Sequence, residues 1–198
     1  MKPWAFLGLA GLLWAQYQLT FFSQDPVKRQ AVELQLRLAP THVRLIAKGT
    51  WDTLQGELDF LLLPDKKYWL DHTKRIAYEV TTFSPDTVLF QKVEVAGYEV
   101  VEGQEAVRAI FHLPGQRLEV LWAEKLGFDW TPWLRHFRAE GLLLAAHYFR
   151  RGLPLGLRLW SEQGAPLQEM HLLKWAPYNY TPADAQPPYP VKRLIGSN

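Results

Sequence analysis

Six histidines and a run of charged residues are the first places to look for chemistry in this 198-residue chain. His136 and His147 are eleven residues apart, close to three helical turns, so they would share a face if the segment is helical. No Cys, Asp or Glu completes a metal-ligand spacing such as His-Glu-x-x-His around them. His42, His72, His112 and His171 show no ligand spacing either, so the histidines read as solvated or locally bonded, with no metal expected. Asp71-His72 beside Lys74 and Arg75 has the residue types of acid–base machinery, but it lies between two strand patterns, where a charged turn is the ordinary reading. No Gly-x-Ser-x-Gly elbow supplies a nucleophile. These residues predict neither a catalytic centre nor a cofactor, and the chain reads as a binding protein rather than an enzyme.

The aromatic residues are more informative. Nine Trp and ten Phe are many for this length. Trp51, Trp69, Trp122, Trp130, Trp133, Trp160 and Trp175 all lie in the body of the chain. Such rings offer large, rigid apolar area, either to a ligand cavity or to the core of a small barrel.

The elements that must position them are mostly strands. Val32, Leu34, Leu36 and Leu38 alternate with Glu33, Gln35 and Arg37 over Ala31–Leu38, the period of a half-buried strand. The same pattern, bounded by turn residues, predicts strands at Tyr17–Phe22, His42–Lys48, Leu58–Leu62, Lys67–Leu70, Arg75–Phe83, Thr87–Val95, Ala106–Leu113, Arg117–Glu124, Leu155–Glu162 and Leu167–Trp175, about ten or eleven in all. Gly97, Gly103 and Gly115 read as punctuation between strands. Connections this short imply antiparallel neighbours, because parallel pairing needs long crossovers.

One segment departs from the pattern. Thr131 suits a helix cap and Pro132 the first helical position. A helix is expected over about 132–140, with Trp130, Trp133, Leu134 and Phe137 on a wide apolar face. Leu142–Phe149 reads as its continuation or as a strand. Pro177, Pro182, Pro187, Pro188 and Pro190 make the tail, 177–198, extended; it either docks on a partner or packs along the chain's own sheet edge.

The N-terminus sets the expected compartment. Lys2 is followed by an apolar run from Trp4 to Trp14, then Ala15 and the polar Gln16, the layout of a signal peptide over 1–15 with cleavage after Ala15. The run falls short of the ~20 apolar residues of a membrane span. With no cysteine, and Gln16 where an acylated Cys would stand, a mature protein of residues 16–198 is expected to be exported, periplasmic or extracellular, and free of a lipid anchor. A net charge of +2 with interspersed signs gives no basic block of the kind that nucleic acid attracts.

Four stretches then appear in a telling order. They are Pro64-Asp65-Lys66-Lys67-Tyr68-Trp69-Leu70-Asp71-His72-Thr73-Lys74-Arg75-Ile76-Ala77-Tyr78, Val95-Ala96-Gly97-Tyr98, Leu121-Trp122-Ala123-Glu124-Lys125-Leu126-Gly127 and Gly152-Leu153-Pro154-Leu155. Together they resemble the LolA/LolB superfamily of bacterial periplasmic proteins, and most of all its secreted domains of unknown function, over roughly residues 30–175. The resemblance implies a half-open, twisted antiparallel barrel with helices plugging its mouth. Its better-known members carry lipoprotein acyl chains, or bind lipid-like molecules and periplasmic partners. Strand-like sequence follows the leader at once, so the N-terminal lid helix of the carriers is missing. No functional residue of theirs transfers by position.

The expected fold is thus mainly β (α+β): one domain with a curved antiparallel sheet, a half-open barrel, and a helix over its concave face. The expected function is to hold a lipid or other lipophilic ligand, a lipoprotein acyl chain among the candidates, in an apolar cavity. Leu36, Phe60, Trp69, Phe90, Phe111, Trp122, Trp133 and Phe137 are the candidate lining residues. The alternative is an envelope sensor or scaffold with a filled core that acts through protein contacts.

Overall fold

The computed structural model describes residues 16–25, 30–51, 54–80, 90–136 and 144–193. The leader, 1–15, the expected strand residues 81–83 and 87–89, and Phe137 lie outside the described residues. Twelve strands form a single curved, open sheet in the order β12-β6-β5-β4-β3-β2-β1-β11-β10-β9-β8-β7. They are β1 (Tyr17–Asp25), β2 (Gln30–Leu38), β3 (Val43–Trp51), β4 (Leu54–Leu62), β5 (Lys67–Asp71) and β6 (Ile76–Val80), followed by β7 (Lys92–Val101), β8 (Gln104–Leu113), β9 (Gln116–Ala123), β10 (Leu153–Ser161), β11 (Pro166–Pro177) and β12 (Val191–Arg193). Every pairing is antiparallel except β12 on β6. The antiparallel strands are those expected from alternation, and the curved, open sheet with unjoined edges is the half-open barrel that the resemblance implies.

Three details differ from the sequence reading. Gly97 does not end a strand but lies inside β7, where the register shifts between Val95 and Gly97. With φ at +143° it gives the strand a bulge rather than a stop. The twelfth strand comes from the tail, where three residues are too few to show a period. The helical region is described in two parts, a 3₁₀ helix over Thr131–His136 and α1 over Leu144–Phe149, and 137–143 lie outside the described residues. Helix, not strand, is therefore the state of 144–149.

Directly opposed residues in a sheet share a face, so the register sorts the side chains. Leu19, Phe21, Leu36, Leu38, Val43, Leu62, Phe111, Leu118, Val120 and Trp122 line the concave face. Trp130, Trp133, Leu134, Leu144, Ala145 and Ala146 meet them from the 3₁₀ helix and α1 in the same buried cluster. The convex face carries the ion pairs: Arg44–Asp59, Lys48–Glu57, Arg108–Glu99 and Arg158 with Glu169 and Glu119.

The tail wraps this outer face. Leu61, Tyr68, Leu70 and Ala77 form a second small cluster there, with Tyr189 of the tail packed against it. His42, fully buried, lies edge-on to Tyr178 and Tyr180. Thr181 and Asp184 form a capping box that turns the chain toward β12. Pairing β12 on β6 leaves no long free edge at that end of the sheet.

Candidate functional site: the concave face and its margins

The helical cover is fixed by two indole hydrogen bonds. Trp122 donates from Nε1 to the Arg151 carbonyl at 2.7 Å, and Trp130 to the Gly152 carbonyl at 2.8 Å. Trp122 stacks on Phe149 of α1 with centroids 5.5 Å apart and planes at 12°. Phe128 meets Trp130 edge-on at 4.9 Å. Gly152 makes this approach possible: a Cβ there would fall 2.5 Å from Trp122 Nε1 and 2.7 Å from the Ala123 oxygen. The centre of the concave face is thus closed by interlocked rings.

The candidate lining residues divide accordingly. Leu36, Phe111, Trp122 and Trp133 are completely or almost completely buried within the central cluster. Phe60 and Phe90 are half-buried and pack against its rim. Trp69 lies one strand outward from Phe60, stacked on Tyr78 with centroids 5.3 Å apart. It helps to line a cavity of about 450 Å³ with Gly56, Glu57 and Asp71–Thr73. Five of the eight therefore lie on the concave face of the sheet, with Trp133 in the cover and Phe90 beside β7, and only those at the margins are reachable.

The far margin is β7, which the sequence reading followed only as far as Val95. Val95 lies opposite Ala109, Tyr98 opposite Val107 and Val100 opposite Glu105. Ala109 and Val107 in turn lie opposite Val120 and Trp122, so the three β7 side chains share the concave face. The cover stops short of them: Val95 is 56% exposed, Tyr98 69% and Val100 75%. Inward from this stripe Phe90, Phe111 and Tyr148 contact one another edge-on at 5.6–6.1 Å. An apolar path thus leads from the open edge to the closed centre. Alternation was visible in Val93 and Val95, but the bulge at Gly97 shifts its phase before Tyr98 and Val100.

At the opposite margin the concave face carries a charge. Lys67 Nζ lies 4.8 Å above the Phe60 ring and donates to the His136 carbonyl at 3.4 Å. Burial lowers the pKa of Lys67. Burial also lowers that of His136, against the opposing effect of its bond to the Leu63 carbonyl at 2.6 Å.

On the outer face the fold makes one grouping that spacing had missed. His72 Nε2 lies 2.8 Å from Asp59 Oδ2 and 4.0 Å from Glu57 Oε1, while His72 Nδ1 meets the Tyr189 hydroxyl at 2.8 Å. The ligand-type atoms of Glu57, Asp59 and His72 fall within 4.8 Å of one another. The expectation that His72 has no such neighbours is corrected here, because the β4 strand and the β5–β6 turn bring them together. Both carboxylates already face cations, Arg44 at 2.7 Å and Lys48 at 3.1 Å, which makes the group an ion-pair network fastening the tail. Asp71 closes the neighbouring turn by accepting from the Lys74 amide at 2.8 Å, as expected of a charged turn.

No protein-family model matches the chain, and no curated protein matches its sequence. Its fold does recur among solved structures. An uncharacterized conserved protein from Thermus thermophilus superposes with a TM-score of 0.56 at 11% identity, over 91% of each chain. MucB in the Pseudomonas aeruginosa MucA/MucB complex gives 0.50 at 13% identity, over 86% of this chain and 55% of MucB. The chain thus spans about half the length of MucB. LolA superfamily structures are also among the matches: one from Nitrosomonas europaea gives 0.33 at 6% identity, over 86% of this chain and 89% of that one. The first two likenesses establish a shared fold. Among the described residues no helix is long and apolar enough to cross a membrane.

Proposed function

We propose that this chain is an exported, non-enzymatic binding protein that holds a lipid or other lipophilic molecule, an acyl chain among them, against its concave face. The observation that carries this reading is the exposed apolar stripe Val95, Tyr98 and Val100 on that face, continuous with Phe90, Tyr148 and Phe111. Contiguous apolar surface left open at the rim of a core marks a binding surface more often than a monomer's ordinary exterior. Phe60, Trp69 and Phe90 would touch the ligand directly. Leu36, Phe111, Trp122 and Trp133 would form the floor beneath it, and Phe137 keeps its place in the set on the sequence reading alone. Binding would come from apolar burial, at about 25 cal/mol per Å² removed from water. Export rests on the leader, with the mature chain acting in the periplasm or outside the cell.

A second reading is a sensor or scaffold whose partner is a protein. The observation favouring it is the filled centre: Trp122, Trp130 and Trp133 are fully or almost fully buried in one cluster with residues of α1, Trp122 in ring contact with Trp130 and with Phe149. MucB shares this fold and is complexed with MucA. The two readings separate in native mass spectrometry of the protein purified after export. An adduct of lipid mass, lost when Tyr98 and Val100 are both changed to Ser, is the expected result. A bare mass that stays bare after incubation with envelope lipid extract overturns the lipid reading and leaves the scaffold.

A further inference from the structure

We propose that Lys67, backed by His136, receives the anionic headgroup, a carboxylate or phosphate, of an amphiphile whose chain lies on the concave apolar face. This rests on the lipophilic-ligand reading above and adds to it the class of ligand and the place of its polar end.

The argument starts from where the sheet keeps its charges. Arg44, Lys48, Arg108 and Arg158 point to the convex face, and each has a carboxylate within 3.5 Å. Lys67 is different. It lies opposite Leu62 in the β4–β5 pairing, on the same face as Phe60 and Trp69, and therefore on the concave side. Its ammonium group is half-buried over the Phe60 ring. Among the described residues its polar contact is the long bond to the His136 carbonyl, and no carboxylate lies within ion-pair distance. An ammonium taken partly out of water with no counter-charge is costly, and an anion beside it would offset that cost.

The second observation is His136 itself. The side chain is 2% exposed, and Nε2 donates to the Leu63 carbonyl at 2.6 Å. The other ring nitrogen, Nδ1, is buried with no hydrogen-bond partner. With Nε2 donating, Nδ1 of the neutral ring is an unpartnered acceptor, and buried polar atoms without partners are rare in folded proteins. An anion beside Lys67 would favour protonation of Nδ1, and the imidazolium would then add a second charged donor. Lys67 Nζ meets the His136 carbonyl, and its charge helps, with that of Arg135, to hold the pKa of His136 low, so the two groups are electrostatic neighbours.

The surroundings select an amphiphile rather than a small ion. Trp69 and Tyr78 stack beside Lys67 on the same face, and Phe60 leads inward to the central apolar cluster. A free anion gains nothing from those surfaces, whereas an acyl chain buries itself on them while its headgroup stays at the rim.

The test uses isothermal titration calorimetry with dodecanoate, dodecyl phosphate and the neutral ester monolaurin, below their aggregation limits. Acetate and inorganic phosphate are the chain-free probes. The expected result is at least tenfold tighter binding of the two anionic amphiphiles than of monolaurin. Lys67→Met should bring them down to the affinity of monolaurin while leaving monolaurin unchanged, and Lys67→Arg should keep most of the preference. Equal affinity for charged and neutral ligands, or a Lys67→Met protein that still discriminates, overturns the headgroup site but leaves the lipophilic reading standing. Failure of all three twelve-carbon ligands to bind overturns both. Acetate or phosphate binding as tightly as the amphiphiles would make this a free-anion site and overturn the assignment to an amphiphile.

Discussion

Replacing Gly152 with Ala should unfold this protein more readily than its one added methyl group suggests. Gly152 has φ at +112°, a region costly to a residue with a Cβ, by about 1–3 kcal/mol. Its Cβ would also lie 2.5 Å from Trp122 Nε1, 2.7 Å from the Ala123 oxygen and 2.9 Å from Glu124 Cα. Two of these three atoms are backbone, so the cheapest relief is to push the Trp122 indole away from the Arg151 carbonyl it bonds. Overpacking of this kind costs roughly 1–3 kcal/mol, and a buried indole N–H left unbonded about 1–3 kcal/mol more. The combined loss is several kcal/mol, which for a chain of this size lowers Tm by roughly 2–4 °C per kcal/mol. Gly97→Ala is the control, because its φ is +143° but its Cβ would have nothing within 4 Å. It should show the backbone cost alone. Urea unfolding followed by tryptophan fluorescence measures both variants. If they lose the same stability within about 0.5 kcal/mol, the resolution at which neighbouring effects are told apart, the packing of Trp122 against Gly152 is not what fixes the helical cover.

Acid should weaken the fold through two histidines. Burial lowers the pKa of His42, against Asp184 and together with Arg44, and burial likewise lowers that of His136. Groups with folded values below the ordinary 6.5 bind fewer protons when native, so stability is complete above about pH 6.5 and is lost as pH falls toward the folded values. The slope is at most about 1.4 kcal/mol per pH unit for each histidine, and urea midpoints from pH 5 to 8 should flatten in His42→Gln; an unchanged slope would remove His42 from the account. On the outer face, Arg44→Met leaves the buried Asp59 carboxylate with His72 as its remaining partner and should cost up to about 3–5 kcal/mol, most of it recovered in Arg44→Met/Asp59→Leu. A double variant no more stable than the single one in the same urea assay would show that the pair contributes more than mutual neutralisation.

The strands were legible because their chemistry is local. Val32 to Leu38 alternate in sequence as they alternate between faces, and a single residue's slip would bury Glu33 and Arg37 instead. Most of the candidate lining residues share one face for the same reason. Three features were not legible. The second half of β7 escaped because the bulge at Gly97 shifts the phase of its alternation. The grouping of His72 with Asp59 and Glu57 escaped because β4 and the β5–β6 turn are apart in sequence and meet only through strand register. The orphaned Nδ1 of His136 escaped because nothing in a sequence records which buried nitrogen lacks a partner.

Period and punctuation, then, determined the fold class of this protein: side chains two residues apart share a face, and short connections permit only antiparallel neighbours. Three-dimensional packing alone decided that the centre of the concave face is filled by Trp122, Trp130 and Trp133 while its margins stay open. Hydrophobic residues are required on that face whether it is solid or hollow, and the difference lies in how closely α1 and the 3₁₀ helix approach the sheet.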